Sequence, residues 1–157
     1  MTGFTRKRIV LTGALLIFAL LASVHKANAW VKITLNNNRS QTISVAFCWS
    51  GFDSPDDRRI GWYQVKPGES RVITLNSAVS SLTMEGFGFY ANEPVANGKR
   101  VVWSGDLRRV IIDPKNAFAG HPEDPAPGGV EVGFRKVKLK EVGDRNTDAV
   151  ATLNFNP

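Results

Sequence analysis

The chain is poor in the residues that most often carry chemistry. It has one cysteine, Cys48, and two histidines, of which only His121 lies beyond residue 29. A single cysteine cannot close an internal bridge, so a disulfide framework is excluded and the domain relies on its core. Cys48 reads as a small buried strand residue, and a Cys48–His121 nucleophile pair has no supporting motif. One histidine supplies too few ligands for a zinc site, so His121-Pro122-Glu123-Asp124 reads as a loop tip. No H-E-x-x-H, P-loop or dinucleotide fingerprint occurs. Ser104 lacks the G-x-S-x-G elbow and reads as part of a Ser-Gly-Asp turn. No internal repeat, low-complexity tail or helical stripe is visible after residue 29. The residues therefore call for no cofactor, no metal and no catalytic set.

The N-terminus is rich where the rest is poor. Arg6, Lys7 and Arg8 precede an apolar run from Ile9 to Val24, and Ala27-Asn28-Ala29 follows. A basic stretch, an apolar stretch and an A-x-A triplet are the parts of a secretory signal peptide, with cleavage expected between Ala29 and Trp30. The alternative is that the run stays as an N-terminal membrane anchor. The expected organisation is a leader, 1–29, and one domain, 30–157, in the periplasm or outside the cell. Four of the 20 Lys and Arg residues lie in the leader, which leaves 16 against 14 acidic residues, a net +2 over 128 residues. The basic isoelectric point owes much to the leader, so a nucleic-acid partner is not expected.

The expected domain is all-β: a single antiparallel β-sandwich, flattened-barrel or jelly-roll-like. Val31, Ile33 and Leu35 alternate with polar residues, as in a half-buried strand. Ile43, Val45, Phe47 and Trp49 form one face of the next strand, and Ser44, Ala46 and Cys48 the other. Ile60–Val65 and Arg71–Leu75 flank Lys66-Pro67-Gly68-Glu69, the chemistry of a type II turn, and the pair is expected to be a hairpin. Further strands are expected at 82–90, 100–103, 107–112, 130–142 and 149–155, with 116–129 an irregular Pro/Gly loop.

Aromatic residues supply the candidate binding site. Trp49, Trp62 and Trp103 are the residues expected to meet a ligand, if a site exists. Neighbours on a strand point to opposite faces. If Val65 is inside, Tyr63 is inside and Trp62 lies near the surface or under a loop. Exposed aromatics flanked by polar groups stack on sugars or sit in a lipid interface. Lys136, Lys138 and Lys140 alternate along one strand face, a row able to meet anionic lipid or polysaccharide, or simply to guard a sheet edge. Asp53, Asp56 and Asp57 offer oxygen atoms in a loop but match no calcium motif, and Asp53 with Asp56 would need a shaped cleft to serve as a glycosidase pair. The expected partner is a glycan, another envelope component or a membrane surface.

Several of these pieces occur in an order that resembles a family of small exported bacterial proteins catalogued as domain of unknown function 1036. They are Gly61-Trp62-Tyr63 with Pro67-Gly68-Glu69, Tyr90-Ala91, Trp103-Ser104-Gly105-Asp106 and Gly133-Phe134-Arg135, after an opening strand ending at Asn36 and Asn37. The resemblance spans most of residues 30–155 and implies export and a compact β domain, with no activity attached. Members often carry several cysteines, and this chain departs from them with Cys48 alone. A looser resemblance links Trp30–Asn37 and the Trp-Ser-Gly loop to aegerolysins, small lipid-binding β proteins, and implies a membrane-surface role.

Overall fold

The computed structural model describes residues 30–50, 58–76, 81–94, 99–143 and 148–157. The expected leader, the acidic loop with Asp53 and Asp56, and Asn97-Gly98 lie outside the described residues.

The chain is all-β in outline. The strands are β1 (Trp30–Asn37), β2 (Ile43–Trp49), β3 (Arg58–Val65), β4 (Ser70–Asn76), β5 (Gly88–Asn92), β6 (Val102–Trp103), β7 (Arg108–Ile112), β8 (Phe118–Gly120), β9 (Val130–Lys136), β10 (Lys140–Val142) and β11 (Asp148–Phe155). One short helix, α1 (Ser81–Gly86), occurs among the described residues. The strands form two sheets. One has four strands in the order β10-β11-β1-β4, the other seven in the order β7-β9-β5-β2-β3-β8, with β6 on β5.

Alternation builds the main core. Val31, Ile33 and Leu35 of β1, Ile73 and Leu75 of β4, and Ala149 and Phe155 of β11 face Ile43, Val45, Phe47 and Trp49 of β2, with Phe89 and Ala91 of β5. This cluster lies between the two sheets. A second cluster covers the opposite face of the seven-stranded sheet: Ala46 and Cys48 of β2, Tyr90 of β5, Val110 and Ile112 of β7, and Phe134 of β9, with Trp62 and Phe118 packed on it. The sheet curls to enclose it. β7 and β8 are opposite edges, yet Arg59 and Trp62, on the strand next to β8, donate to the carbonyls of Ile111 and Asp113, in and just after β7.

Several expected elements differ. β1 and β11 pair in parallel, Val31 with Ala149 through Asn37 with Phe155, so the sheets are not antiparallel throughout. The 60–75 segment is not a hairpin, because β3 belongs to the seven-stranded sheet and β4 to the four-stranded one. The turn chemistry itself holds: Gly68 has φ 71°, and the Glu69 amide donates to the Lys66 carbonyl at 3.0 Å. The turn acts as a corner because Asn37 captures it, accepting from the Gly68 amide at 2.8 Å and donating to the Glu69 carbonyl at 3.0 Å. The buried Asn37 side chain also donates to the Gln41 and Val65 carbonyls and accepts from the Arg39 amide. Only an amide side chain supplies donors and an acceptor together at that point.

The expected strand 82–90 begins as α1. The Thr83 hydroxyl donates to the Ser50 carbonyl at 3.1 Å, and Met84 packs on the main core, so tertiary contacts override the strand pattern. The expected strand 130–142 is two strands in different sheets. Residues 137–139 cross between them, burying Val137 and Leu139 in the main core. β8 forms inside the expected Pro/Gly loop, pairing with Arg59, Ile60 and Gly61 of β3. The expected strand 100–103 contracts to β6.

Candidate functional site

The site candidate grows from a bulge. Val45 pairs with Tyr63 but Phe47 pairs with Ile60, so β3 carries one extra residue between them. A bulge of this kind re-aims side chains. Ile60 and Tyr63, three apart, both pack on the main core, while Trp62 packs on the second cluster. Gly61 makes the bulge possible in this packing, since a Cβ there would meet Phe118 Cζ at 2.8 Å and the Ala46 Cβ at 2.9 Å. The Gly61–Trp62 peptide is cis.

Trp62 and Tyr63 are both half-buried, on opposite faces. Tyr63 packs against Phe47, ring centroids 5.8 Å apart, and the Arg71 guanidinium lies 5.9 Å over its ring. Burial pushes the Tyr63 phenol up from its ordinary value, and the positive charge of Arg71 pulls it partly back. Trp62 meets Phe118 edge-on at 5.6 Å and Tyr90 at 6.0 Å. Its indole N–H donates to the Asp113 carbonyl at 2.9 Å, so Trp62 lies under the loop between β7 and β8.

Asp113 organises that loop. Its Oδ1 accepts from the amides of Lys115 at 2.8 Å and Asn116 at 2.9 Å, an Asx turn that leads the chain into Phe118. The Asn116 amide is the main cause holding the Asp113 carboxyl below the usual carboxylate value, with the Lys115 amide second. Sequence reasoning missed Asp113. Asp followed by Pro114 between two apolar stretches was the available signal, a turn opener.

β8 starts at Phe118 opposite Gly61, β3 runs on past that point through Trp62 and Tyr63, and an open groove of about 370 Å³ lies there. Ile60, Gly61, Trp62, Tyr63, Ala117, Phe118 and Ala119 line it. Its walls are mainly apolar and aromatic. Its volume sits at the small end of the usual range for ligand pockets.

On β3, just before the residues that line the groove, is Arg59, 4 % exposed. Its guanidinium donates to the Ile111 carbonyl and to the Asp124 carbonyl, the latter at 2.6 Å, and lies 6.0 Å from the Phe118 ring centre. Its Nε has no hydrogen-bond partner among the described residues. A buried cation held by carbonyls ties β3, β7 and the 121–129 loop together.

The other expected site residues do not converge here. Trp49 is 6 % exposed and stacks on Phe87 at 5.8 Å in the main core, so it presents little surface to a ligand. Trp103 is half-buried. One ring contact is Phe155, edge-on at 5.0 Å, and the Arg39 guanidinium lies 5.5 Å from its centre. Arg39 is itself bound in a fork by the buried Glu93 and donates to the Asn156 carbonyl at 2.9 Å. Lys136, Lys138 and Lys140 are all exposed. Lys136 is ion-paired with Glu85 of α1, and Lys140 lies on β10 opposite Val150, which lies opposite Lys32. Among the described residues no three His, Cys, Asp or Glu side chains cluster as a metal site would require, and no helix is long and apolar enough to cross a membrane. Compared with protein-family models, curated proteins and solved structures, the chain finds no match.

Proposed function

We propose that this chain is an exported, non-catalytic binding module whose ligand lies in the groove beside Trp62. The observation that carries the reading is the groove of about 370 Å³ at Gly61-Trp62-Tyr63, which Ile60, Ala117, Phe118 and Ala119 also line. A lining rich in aromatic residues suits the apolar face of a sugar ring. Export follows from the expected leader, residues 1–29. Membership of the family of unknown function named above is part of the same proposal, since the groove falls on its Gly-Trp-Tyr stretch. So is the finer architecture, one flattened sandwich, which the core shared by the two sheets supports. Trp49 and Trp103 then serve packing rather than binding.

The test is a thermal-shift panel of glycans on the exported protein. A ligand at about 100 times its dissociation constant adds roughly 2.7 kcal/mol, a rise of a few degrees for a domain of this size. A rise with a glycan that Trp62→Ala abolishes and Trp103→Ala leaves supports the groove. No rise with any glycan, or a rise that survives Trp62→Ala, overturns it.

A second reading, a membrane-surface protein, rests on Lys140 and Lys32 sharing one outward row near the half-buried Trp30, with Lys32 Nζ 4.3 Å over that ring. Juxtamembrane cations gain about 1 kcal/mol each near anionic lipid. Binding to phosphatidylserine vesicles at low salt, lost when Lys32, Lys138 and Lys140 become Gln, is its expected signature. Absence of binding removes it.

A further inference from the structure

The backbone nitrogen of Trp30 donates to Asp148 Oδ1 at 3.1 Å. These two residues are 118 apart in sequence and each opens a strand: Trp30 begins β1 and Asp148 begins β11. Both are half-buried. The first rung of the parallel ladder, Val31 with Ala149, follows directly. The contact therefore sits at the mouth of the one parallel strand pair among the described strands.

The Ala27-Asn28-Ala29 triplet ends at the residue before this nitrogen. We infer that Asp148 is the receptor for the α-ammonium group created when the chain is cut between Ala29 and Trp30. The inference rests on the export part of the proposed function and not on the groove.

The chemistry balances with water alone. A leader peptidase adds water across the Ala29–Trp30 peptide bond. The C–N bond breaks, Ala29 leaves as a carboxylate, and the Trp30 nitrogen takes up the protons and becomes an ammonium. In the uncut chain that nitrogen is an amide, with one donor and no charge. A backbone amide at a strand start is satisfied by any acceptor, including Ser, Asn or water. A carboxylate is the acceptor that gains when the nitrogen becomes charged. The uncut bond is charge-assisted through its acceptor alone, and cleavage adds the Coulomb attraction of a full opposite charge on the donor. An α-amino group ordinarily titrates near 7.7–8.0 and is charged at pH 6.5.

The surroundings suit a new cation. Asp148 pairs across the sheet with Val142, and Trp30 with Asn76, both uncharged. Lys32 Nζ, held over the indole ring, is a like charge that the Asp148 carboxylate offsets. Cleavage thus converts an amide–carboxylate contact into an ion pair that fastens β11 to β1, the last and first of the described strands. The leader's removal becomes a stabilising event for the fold as well as a release step.

The experiment uses the full chain, exported from cells and recovered. Intact mass first fixes the N-terminus. A second form with Ala29→Leu, a residue too large for the peptidase at that point, keeps the leader and is purified in detergent, and the cut form is measured in the same detergent. Asp148→Asn is then placed in both, with Asp148→Ser as a second neutral acceptor should Asn fold poorly. At pH 6.5 the thermal midpoint of the cut form is expected to fall by several degrees with either substitution. The uncut form is expected to fall by less than half as much. Equal falls in the two forms, or no fall in the cut form, overturn the role of Asp148. A mass showing cleavage elsewhere, or none, overturns the export reading and this inference with it.

Discussion

The two sides of the seven-stranded sheet are covered by different means. The side facing the four-stranded sheet is lined mainly by aliphatic residues and Phe, in regular alternation, and is closed by another sheet. The side inside the curl holds Trp62, Tyr90, Phe118 and Phe134 and is closed by the sheet's own edges, by the loop after β7 and by Arg59. The first is a core made by layers. The second is a core made by curvature, with polar ties where a second layer would be. Function is proposed at this edge of the sheet because β8 is three residues long and leaves a groove beside β3, lined by residues that pack on both cores.

Substitutions in each region should break that contrast to different degrees. Phe47→Ala removes a fully buried ring from the layered core, where it meets Tyr63 and Phe87. A loss of about 3–5 kcal/mol is expected, read as a lower urea midpoint with an unchanged slope. Arg59→Ala should cost about 2–3 kcal/mol, from the carbonyls of Ile111 and Asp124 left without their donor. Its signature differs: amide exchange should rise first in β7 and β8 while β1 and β11 stay protected. Uniform loss of protection would mean the two cores unfold as one. Gly61→Ala drives a methyl into Phe118 and Ala46, and about 1–3 kcal/mol is expected, together with loss of groove binding. Trp62→Phe keeps the ring but drops the bond to the Asp113 carbonyl, about 1 kcal/mol by denaturation.

The smallest effect concerns acid. The folded-state carboxyl of Asp113 lies below its unfolded value, so its contribution is present above the ordinary carboxylate pKa and fades as pH falls through the folded value. Thermal midpoints of Asp113→Asn and the native chain should converge toward acid and separate slightly at neutral pH. Divergence toward acid would reverse the assignment.

The layered core was legible in the sequence because period-two alternation in 31–35 and 43–49 reports a face, and those faces are buried. At 60–65 the same rule puts Tyr63 inside and Trp62 under a loop, as the structure does, but from an incomplete premise. It assumed one wet side, so only one of Trp62 and Tyr63 could be inside. Both sides are covered, and the bulge at Gly61 changes the count between Ile60 and Tyr63. The Pro67-Gly68 turn was readable from local chemistry, but the sheet that β4 joins was not, because Asn37, touching the turn but far from it in sequence, decides it. Neither β8 nor the crossing at 137–139 has a local signature. The first exists through pairing with β3, and the second through burial of Val137 and Leu139.

The parallel pairing of β1 with β11 sets an order of events during synthesis. The first strand to emerge from the ribosome finds its central neighbour only when residues up to Phe155 have followed. Until then β1 has β4 on one side and nothing on the other, and the layered core is missing Ala149 and Phe155. Contacts of such long sequence separation form slowly. The edge of β1 that β11 covers therefore stays unpaired while everything between the two strands is made, and the layered core closes only when 148–155 arrive.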